Sequence, residues 1–271
     1  MTSPPLRNRS RAAVFLAYHS IASPGPPFTS VSPGAFERQL AILRRLGFAS
    51  GVHDELQKLA HGKRDRRRLV FLTFDDGYVD NHHTARPLLA AYGFRGLFFI
   101  LPPRVDDGGA LRWPRVERRV RDHPEVMRSL TWPLVEEMVA DGHEFGSHTL
   151  THPSLLELDD ERLRQELLDS RTRIKERLGA CDSLAYPFGV WSPRVAAAAA
   201  DAGYSFAFTL PYGGQTSAGR LSIPRVAVDH RDGAGSFVLK LTPAYRRFHL
   251  SRLRPMARAI VRRRPAHLTG D

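Results

Sequence analysis

The sequence predicts an α/β fold built around a parallel sheet. Short apolar runs alternate with stretches of helical periodicity along the chain. Hydrophobic residues make up 42% of the 271 residues, enough for a substantial core. Residues able to bind metals or move protons follow directly after several apolar runs. In parallel α/β folds that is the face on which sites are built.

Taken in order, Ala13 to Tyr18 is the first apolar run and ends at His19. A loop rich in proline and glycine follows from Pro24 to Pro27. Ser32 is placed to N-cap a helix with Pro33 at its first position, and Phe36, Leu40, Leu43 and Leu46 recur at helical spacing before Gly47. A second helical stretch, Asp54 to Ala60, leads into the basic cluster Lys63 to Arg68. Leu69 to Phe74 reads as a continuous apolar strand delivering Asp75 and Asp76. Ala85 to Tyr92 reads as a helix stopped by Gly93, and Gly96 to Leu101 as the next strand.

Asp106 to Leu130, with Gly108-Gly109 and several arginines, reads as an insertion or elaborated loop. Thr131 caps a helix carrying Leu134, Val135, Met138 and Val139, and His143 to Gly146 is a short strand. Asp159 to Leu178 is a long helix with Leu163, Leu167, Ile174 and Leu178 inward. Ser183 to Tyr186 is a strand, Ser192-Pro193 opens an alanine-rich helix, and Tyr204 to Leu210 and Arg225 to Val228 are late strands. No internal repeat is present. The expected organisation is one domain over residues 1–235 and a basic, arginine-rich extension over 236–271.

The totals exclude several classes. A single cysteine, Cys181, rules out an internal disulfide framework and a cysteine-rich metal site. The apolar stretch after Arg7, Arg9 and Arg11 is too short for a signal-peptide core, and no segment approaches a membrane span, so the expectation is a soluble, cytoplasmic protein. The net charge of +12 is concentrated late. Between Gly233 and Gly270 there is no acidic residue, while Arg246, Arg247, Arg252, Arg254, Arg258, Arg262, Arg263 and Arg264 accumulate. Such a tail suits either a solvated surface or contact with nucleic acid, anionic lipid or an acidic polysaccharide. Leu250, Leu253, Met256, Ile260 and Val261 between the arginines add the option of peripheral attachment to an anionic membrane. No nucleic-acid recognition motif accompanies the charge.

Two motifs carry the chemistry. Thr73-Phe74-Asp75-Asp76-Gly77 supplies two adjacent carboxylates, and Ser147-His148-Thr149-Leu150-Thr151-His152-Pro153 supplies two imidazoles. Three such ligands around a divalent ion, with a position left open, make a catalytic rather than a structural site. Consecutive aspartates in a regular strand point to opposite faces, but Gly77 permits a turn that lets the carboxylates converge. One then binds the ion while its neighbour takes a proton. His148 and His152 have helical spacing, yet Thr149, Thr151 and Pro153 argue for a compact loop instead.

These two motifs, with Glu144-Phe145-Gly146 before the second, resemble the leading motifs of the polysaccharide deacetylases, the NodB-homology or carbohydrate esterase family 4 enzymes. The resemblance spans about His19 to Asp229. It implies a deformed (β/α) barrel with parallel strands and outer helices. It also implies a divalent metal, commonly zinc, although imidazole–carboxylate sets accept cobalt, nickel or iron. By match, Asp76, His148 and His152 are the ligands and Asp75 is the general base. The implied reaction removes acetyl groups from an N-acetylated glycan or glycolipid. The backbone N–H of Phe188, in Tyr186-Pro187-Phe188-Gly189, matches the family's oxyanion donor.

Two departures stand out. The third-motif arginine that contacts the base is replaced by Ala185, with Arg225 as the candidate substitute. The late Leu-x-His motif supplying the general acid is absent. Instead, Leu16-Ala17-Tyr18-His19-Ser20-Ile21 resembles the N-terminal histidine strand of the circularly rearranged branch that includes poly-N-acetylglucosamine deacetylases, which makes His19 the acid. His53, His61, His82, His83, His123, His249 and His267 are expected at the surface or in packing. Trp132 and Trp191 are expected in the core, and Trp113 near the cleft. The competing reading is a catalytically inactive carbohydrate-binding protein on the same fold.

Overall fold

In chain order the elements are β1 (Ala13–Tyr18), α1 (Pro33–Arg45), β2 (Phe48–Ser50), α2 (His53–Ala60), β3 (Arg68–Phe74), α3 (Arg86–Tyr92), β4 (Gly96–Ile100), α4 (Pro102–Asp107), α5 (Glu117–Asp122), α6 (Trp132–Ala140), β5 (Glu144–Ser147), α7 (Asp160–Leu178), β6 (Ser183–Ala185), α8 (Pro193–Asp201), β7 (Phe206–Thr209), β8 (Ile223–Pro224), β9 (Val226–Ala227), α9 (Ala234–Leu241) and α10 (Pro243–His249). These come from a computed structural model that describes residues 13–26, 29–63, 65–113, 116–210 and 219–249.

Every strand pairing is parallel, in the order β8–β7–β6–β5–β4–β3–β1–β9, with β2 beside β3. β8 and β9 are halves of one segment. Ile223 and Pro224 pair with Phe208 and Thr209 of β7, and Val226 and Ala227 then pair with Leu16 and Ala17 of β1. One segment therefore bridges both ends of the sheet and closes it into a nearly complete barrel with helices around it. This is the deformed (β/α) barrel expected from the sequence.

Side chains alternate between the two faces of each strand. Phe15, Leu69, Phe71, Leu97, Phe99, Phe206 and Phe208 fill the barrel interior, with Phe15 stacked on Phe71 at 4.5 Å. Val14, Leu16, Val70, Leu72, Phe74 and Phe98 face outward into the layer of helices. Burial on both faces explains why the strands read as continuous apolar runs. Gly146 is required by this packing: a Cβ there would lie 2.6 Å from the Ser183 carbonyl and 2.8 Å from the Phe99 ring.

The helices follow their sequence signals. Ser32 Oγ accepts from Ala35 N–H at the start of α1, which buries Phe36, Leu40 and Leu43. Asp159 caps α7, and left-handed Gly179 ends it. The stretch expected as an insertion begins at the end of α4 and holds α5. Its Leu111, Trp113, Val116, Val120 and Met127 build a cluster of their own with Tyr78 and Leu101. The boundary expected at 235/236 falls inside α9, whose Phe237 and Leu241 are buried in the main core. No helix among the described residues is long and apolar enough to cross a membrane. The apolar positions Leu250 to Val261 of the arginine-rich tail lie outside the described residues.

Candidate active site

The inward parity of the strands continues past their ends. Beyond Phe71 come Thr73 and Asp75, beyond Phe15 come Ala17 and His19, and beyond Ile223 comes Arg225. Asp75 stays on the ladder, its N–H donating to Tyr18 O at 2.9 Å. The chain then turns through two left-handed residues, Asp76 (φ 72°) and Gly77 (φ 70°). A Cβ on Gly77 would sit 2.9 Å from Ile100 Cγ2, so glycine is needed for space as well as for φ.

The turn carries Asp76 to the end of β5. Its Oδ1 lies 3.3 Å from His148 Nε2 and 3.4 Å from His152 Nε2. One ligand atom from each residue fits within 4.8 Å of the others, and all three residues are buried. The loop joining the histidines is not helical, because Thr149 (φ 71°) and His152 (φ 64°) are left-handed. Thr149 N–H donates to Ser147 Oγ, and His152 N–H to Thr149 Oγ1. Glu166 of α7 accepts from the N–H groups of Leu150 and Thr151, both at 2.9 Å. Asp76, Thr149, His152 and Phe188 are the non-glycine residues with positive φ among the described residues, and all four line this site. Each costs about 1–3 kcal/mol, strain that clusters at functional sites.

A cation fits these residues on the structure's own terms. His148 Nδ1 lies 2.8 Å from the Ala185 carbonyl, so that nitrogen donates, and in the neutral imidazole Nε2 is left as a lone pair facing Asp76. Asp76 Oδ1 is buried with no hydrogen-bond donor. Two imidazole nitrogens and a carboxylate oxygen form a donor set for zinc and its neighbours. Burial raises the Asp76 pKa, but His148 and His152 outweigh it and hold the carboxyl far below its usual range. Burial pushes His152 down to about 4. For His148 burial acts the same way, and Asp76 and Asp75 more than restore it.

Asp75 points to the opposite side of the turn. Arg225, fully buried, donates through Nη1 to Oδ1 at 2.6 Å and through Nη2 to Oδ2 at 2.8 Å. Nη1 also reaches Thr73 Oγ1 at 2.9 Å, and the guanidinium lies over Phe99 and Phe208. Burial alone would raise the Asp75 pKa, but Arg225 outweighs it and keeps the group ionised. The position at Ala185 thus holds the carbonyl that orients His148, while the guanidinium on the aspartate comes from the barrel-closing segment. His19 Nε2 lies 4.0 Å from Asp75 Oδ2, and the imidazole is 20% exposed.

Phe188 is left-handed (φ 58°), and its ring meets His152 edge-on at 4.7 Å. Trp113 stacks on the His152 ring at 4.3 Å. Trp132 is away from the site, donating to Asp106, and Trp191 packs against the core. Three supporting residues escaped the sequence reading. Glu166 pins the histidine loop. Asp80 accepts from Ser20 Oγ at 2.7 Å and Ile21 N–H at 2.8 Å, while Asn81 Nδ2 donates to His19 O at 2.8 Å. The carboxylate in Tyr78-Val79-Asp80-Asn81, just past the aspartate motif, was the available signal.

Residues 62–207, more than half of the chain, match the family model for polysaccharide deacetylase. A Bacillus subtilis (strain 168) protein named for a polysaccharide deacetylase, YxkH, is 26% identical over 216 residues, covering 79% of this chain and 70% of its own length. A chitooligosaccharide deacetylase of Rhizobium leguminosarum bv. trifolii is 31% identical over 148 residues, and the match takes in 52% of this chain and 55% of that protein. Among solved structures, the Streptococcus pyogenes deacetylase PplD superposes with a TM-score of 0.73 at 23% identity, covering 85% of this chain and 98% of that one. IcaB from Ammonifex degensii superposes at 0.67 with 24% identity, over 84% and 95%. The family-model match, on a barrel shared with these structures, makes this chain a member of the polysaccharide deacetylase family.

Proposed function

We propose that the protein is a metal-dependent hydrolase that removes acetyl groups from an N-acetylated glycan or a glycolipid precursor. The observation carrying this reading is the buried trio Asp76, His148 and His152, with its donorless carboxylate oxygen, beside an Asp75–Arg225 pair and an accessible His19. The relatives named as chitooligosaccharide deacetylases support the substrate class.

Asp76, His148 and His152 would hold the ion, with zinc the proposed metal and cobalt, nickel and iron also suited to the set. When bound, such an ion supplies Lewis acidity to the amide carbonyl and acidifies the attacking water. Asp75, ionised and fixed by Arg225, takes a proton from that water as its oxygen bonds to the carbonyl carbon. The Phe188 N–H donates to the developing oxyanion. His19, across from Asp75, gives a proton to the sugar nitrogen as the C–N bond breaks, leaving acetate and a free amine. The missing third-motif arginine, with alanine at 185, is the feature that favours the inactive carbohydrate-binding alternative. The guanidinium that Arg225 presents to Asp75 supports the active reading over it.

The test is acetate release from N-acetylchitooligosaccharides, with metal content measured on the same sample. Activity should vanish on chelation and return on adding metal. Asp75→Asn should lower kcat by about 10²–10⁴-fold while retaining the ion. Full activity in Asp75→Asn would remove the base assignment, and glycan binding with bound metal but no turnover would favour the inactive reading.

A further inference from the structure

Histidines that ligate a metal are ordinarily oriented by a hydrogen bond from the ring nitrogen that faces away from the ion. His148 follows this pattern through the Ala185 carbonyl. His152 does not. Its Nδ1 is buried without a hydrogen-bond partner, in a residue 5% exposed. Its backbone is left-handed (φ 64°), an uncommon conformation for a residue other than glycine. Two aromatic surfaces confine the imidazole. Trp113 lies across one face, with centroids 4.3 Å apart and planes 28° from parallel, and Phe188 closes in edge-on at 4.7 Å and 78°.

Trp113 is itself held firmly. It belongs to the cluster of Leu111, Val116, Val120 and Met127, packed on Tyr78 and Leu101. Backbone hydrogen bonds lace this unit to the aspartate turn: Leu130 N–H donates to Gly77 O at 2.9 Å, and Val79 N–H to Arg128 O at 2.8 Å. The unit that presses on His152 is therefore bonded to the residues following Asp76.

We infer that Trp113 is a positioning residue for the metal: stacking replaces the missing hydrogen bond and keeps the His152 imidazole in its ligating orientation. The segment between β4 and α6 is then part of the metal site, not an appendage to the barrel. This rests on the metal reading above, and the experiment separates the two.

Metal affinity is measured by competition with a chromophoric chelator for Zn²⁺ in the full-length protein, alongside thermal melts of the metal-free form. Trp113→Ala should weaken the ion by about 10–100-fold, the usual cost of losing a ligand's support, and Trp113→Phe should restore most of it. Leu40→Ala, buried in α1 in the outer layer and outside this cluster, should lower the melting temperature without changing affinity. Equal affinity in Trp113→Ala and wild type would overturn the inference. So would an equal loss in Leu40→Ala, which would reduce the effect to general destabilisation, or a failure of Trp113→Phe to restore binding. A wild-type protein that takes up no ion would sink the metal reading itself.

Discussion

The lower interior of the barrel and its rim are made by the same strands and the same alternation, yet they carry opposite chemistry. Below, Phe15, Phe71, Phe99 and Phe208 fill the space with rings. One step up on the inward face stand Thr73, Asp75, His148 and Arg225. The difference teaches where a buried charge can be afforded in a sheet. It sits at the level where the ladders end, because loops and carbonyls there supply the partners that a strand interior lacks. The aromatic floor also acts on the layer above. With Phe99 and Phe208 beneath it, the Arg225 guanidinium has little access to solvent, so separating it from Asp75 is expensive.

Breaking that pair should give the largest effect. Arg225→Met leaves Asp75 buried without a countercharge, which costs about 3–5 kcal/mol of stability. It should also lower kcat, since the carboxylate loses the group that holds it ionised and in place. Denaturant unfolding and acetate release on one preparation check both. A variant that kept both stability and turnover would erase the distinction between floor and rim.

Phe71→Ala is the matching perturbation of the floor. Removing a ring that stacks on Phe15 should cost a similar 3–5 kcal/mol through lost burial and a cavity. The folded fraction should turn over substrate as wild type does. If kcat per folded molecule fell together with stability, the floor would be part of the active site rather than its support.

Asp80 sharpens the comparison, because it is a rim carboxylate with hydrogen bonds but no cation. Burial raises its pKa to about 6 from an ordinary 3.8. The folded state therefore binds its proton more tightly than the unfolded chain does. That stability is fully present below about pH 4 and is lost as pH rises through 6, a change of about 3 kcal/mol at most. His143 works in the opposite direction: burial lowers it to about 4, so its contribution is lost as pH falls below about 6.5. The difference between wild type and Asp80→Asn isolates the first group. Wild type should lose stability relative to the variant between pH 4 and 6, and a flat difference curve would show that Asp80 does not titrate there.

What the sequence revealed divides along the same line. β1 and β3 were legible because burial on both faces leaves an uninterrupted apolar run. The aspartate and histidine motifs were legible because reactive residue types cluster just beyond such runs. Asp80 was not, since its meaning lies in Ser20 and Ile21, about sixty residues earlier in the chain. Barrel closure was half legible. Arg225 to Val228 read as a strand, but Pro224 has no N–H and hid the pairing of Ile223 with Phe208. The stacking of Trp113 on His152 joins an irregular segment to a left-handed loop, and neither leaves a periodic trace. β2 was missed because three residues carry too little pattern.

The smallest effect tests whether the outer layer reaches the rim. Asp159 caps α7 by accepting from Arg162 N–H at 2.8 Å. Asp159→Ala should cost about 1 kcal/mol and lower the melting temperature by about 2–4 °C. The same helix carries Glu166, which grips the histidine loop, and Ser170, whose hydroxyl lies 2.6 Å from Ser147 Oγ. Both lie at least one full turn beyond the cap, and fraying is confined to the first turn. Metal affinity should therefore stay unchanged while the melting temperature falls. A loss of affinity in this variant would mean that α7 transmits strain along its length to His152, and that frame and site are mechanically one unit.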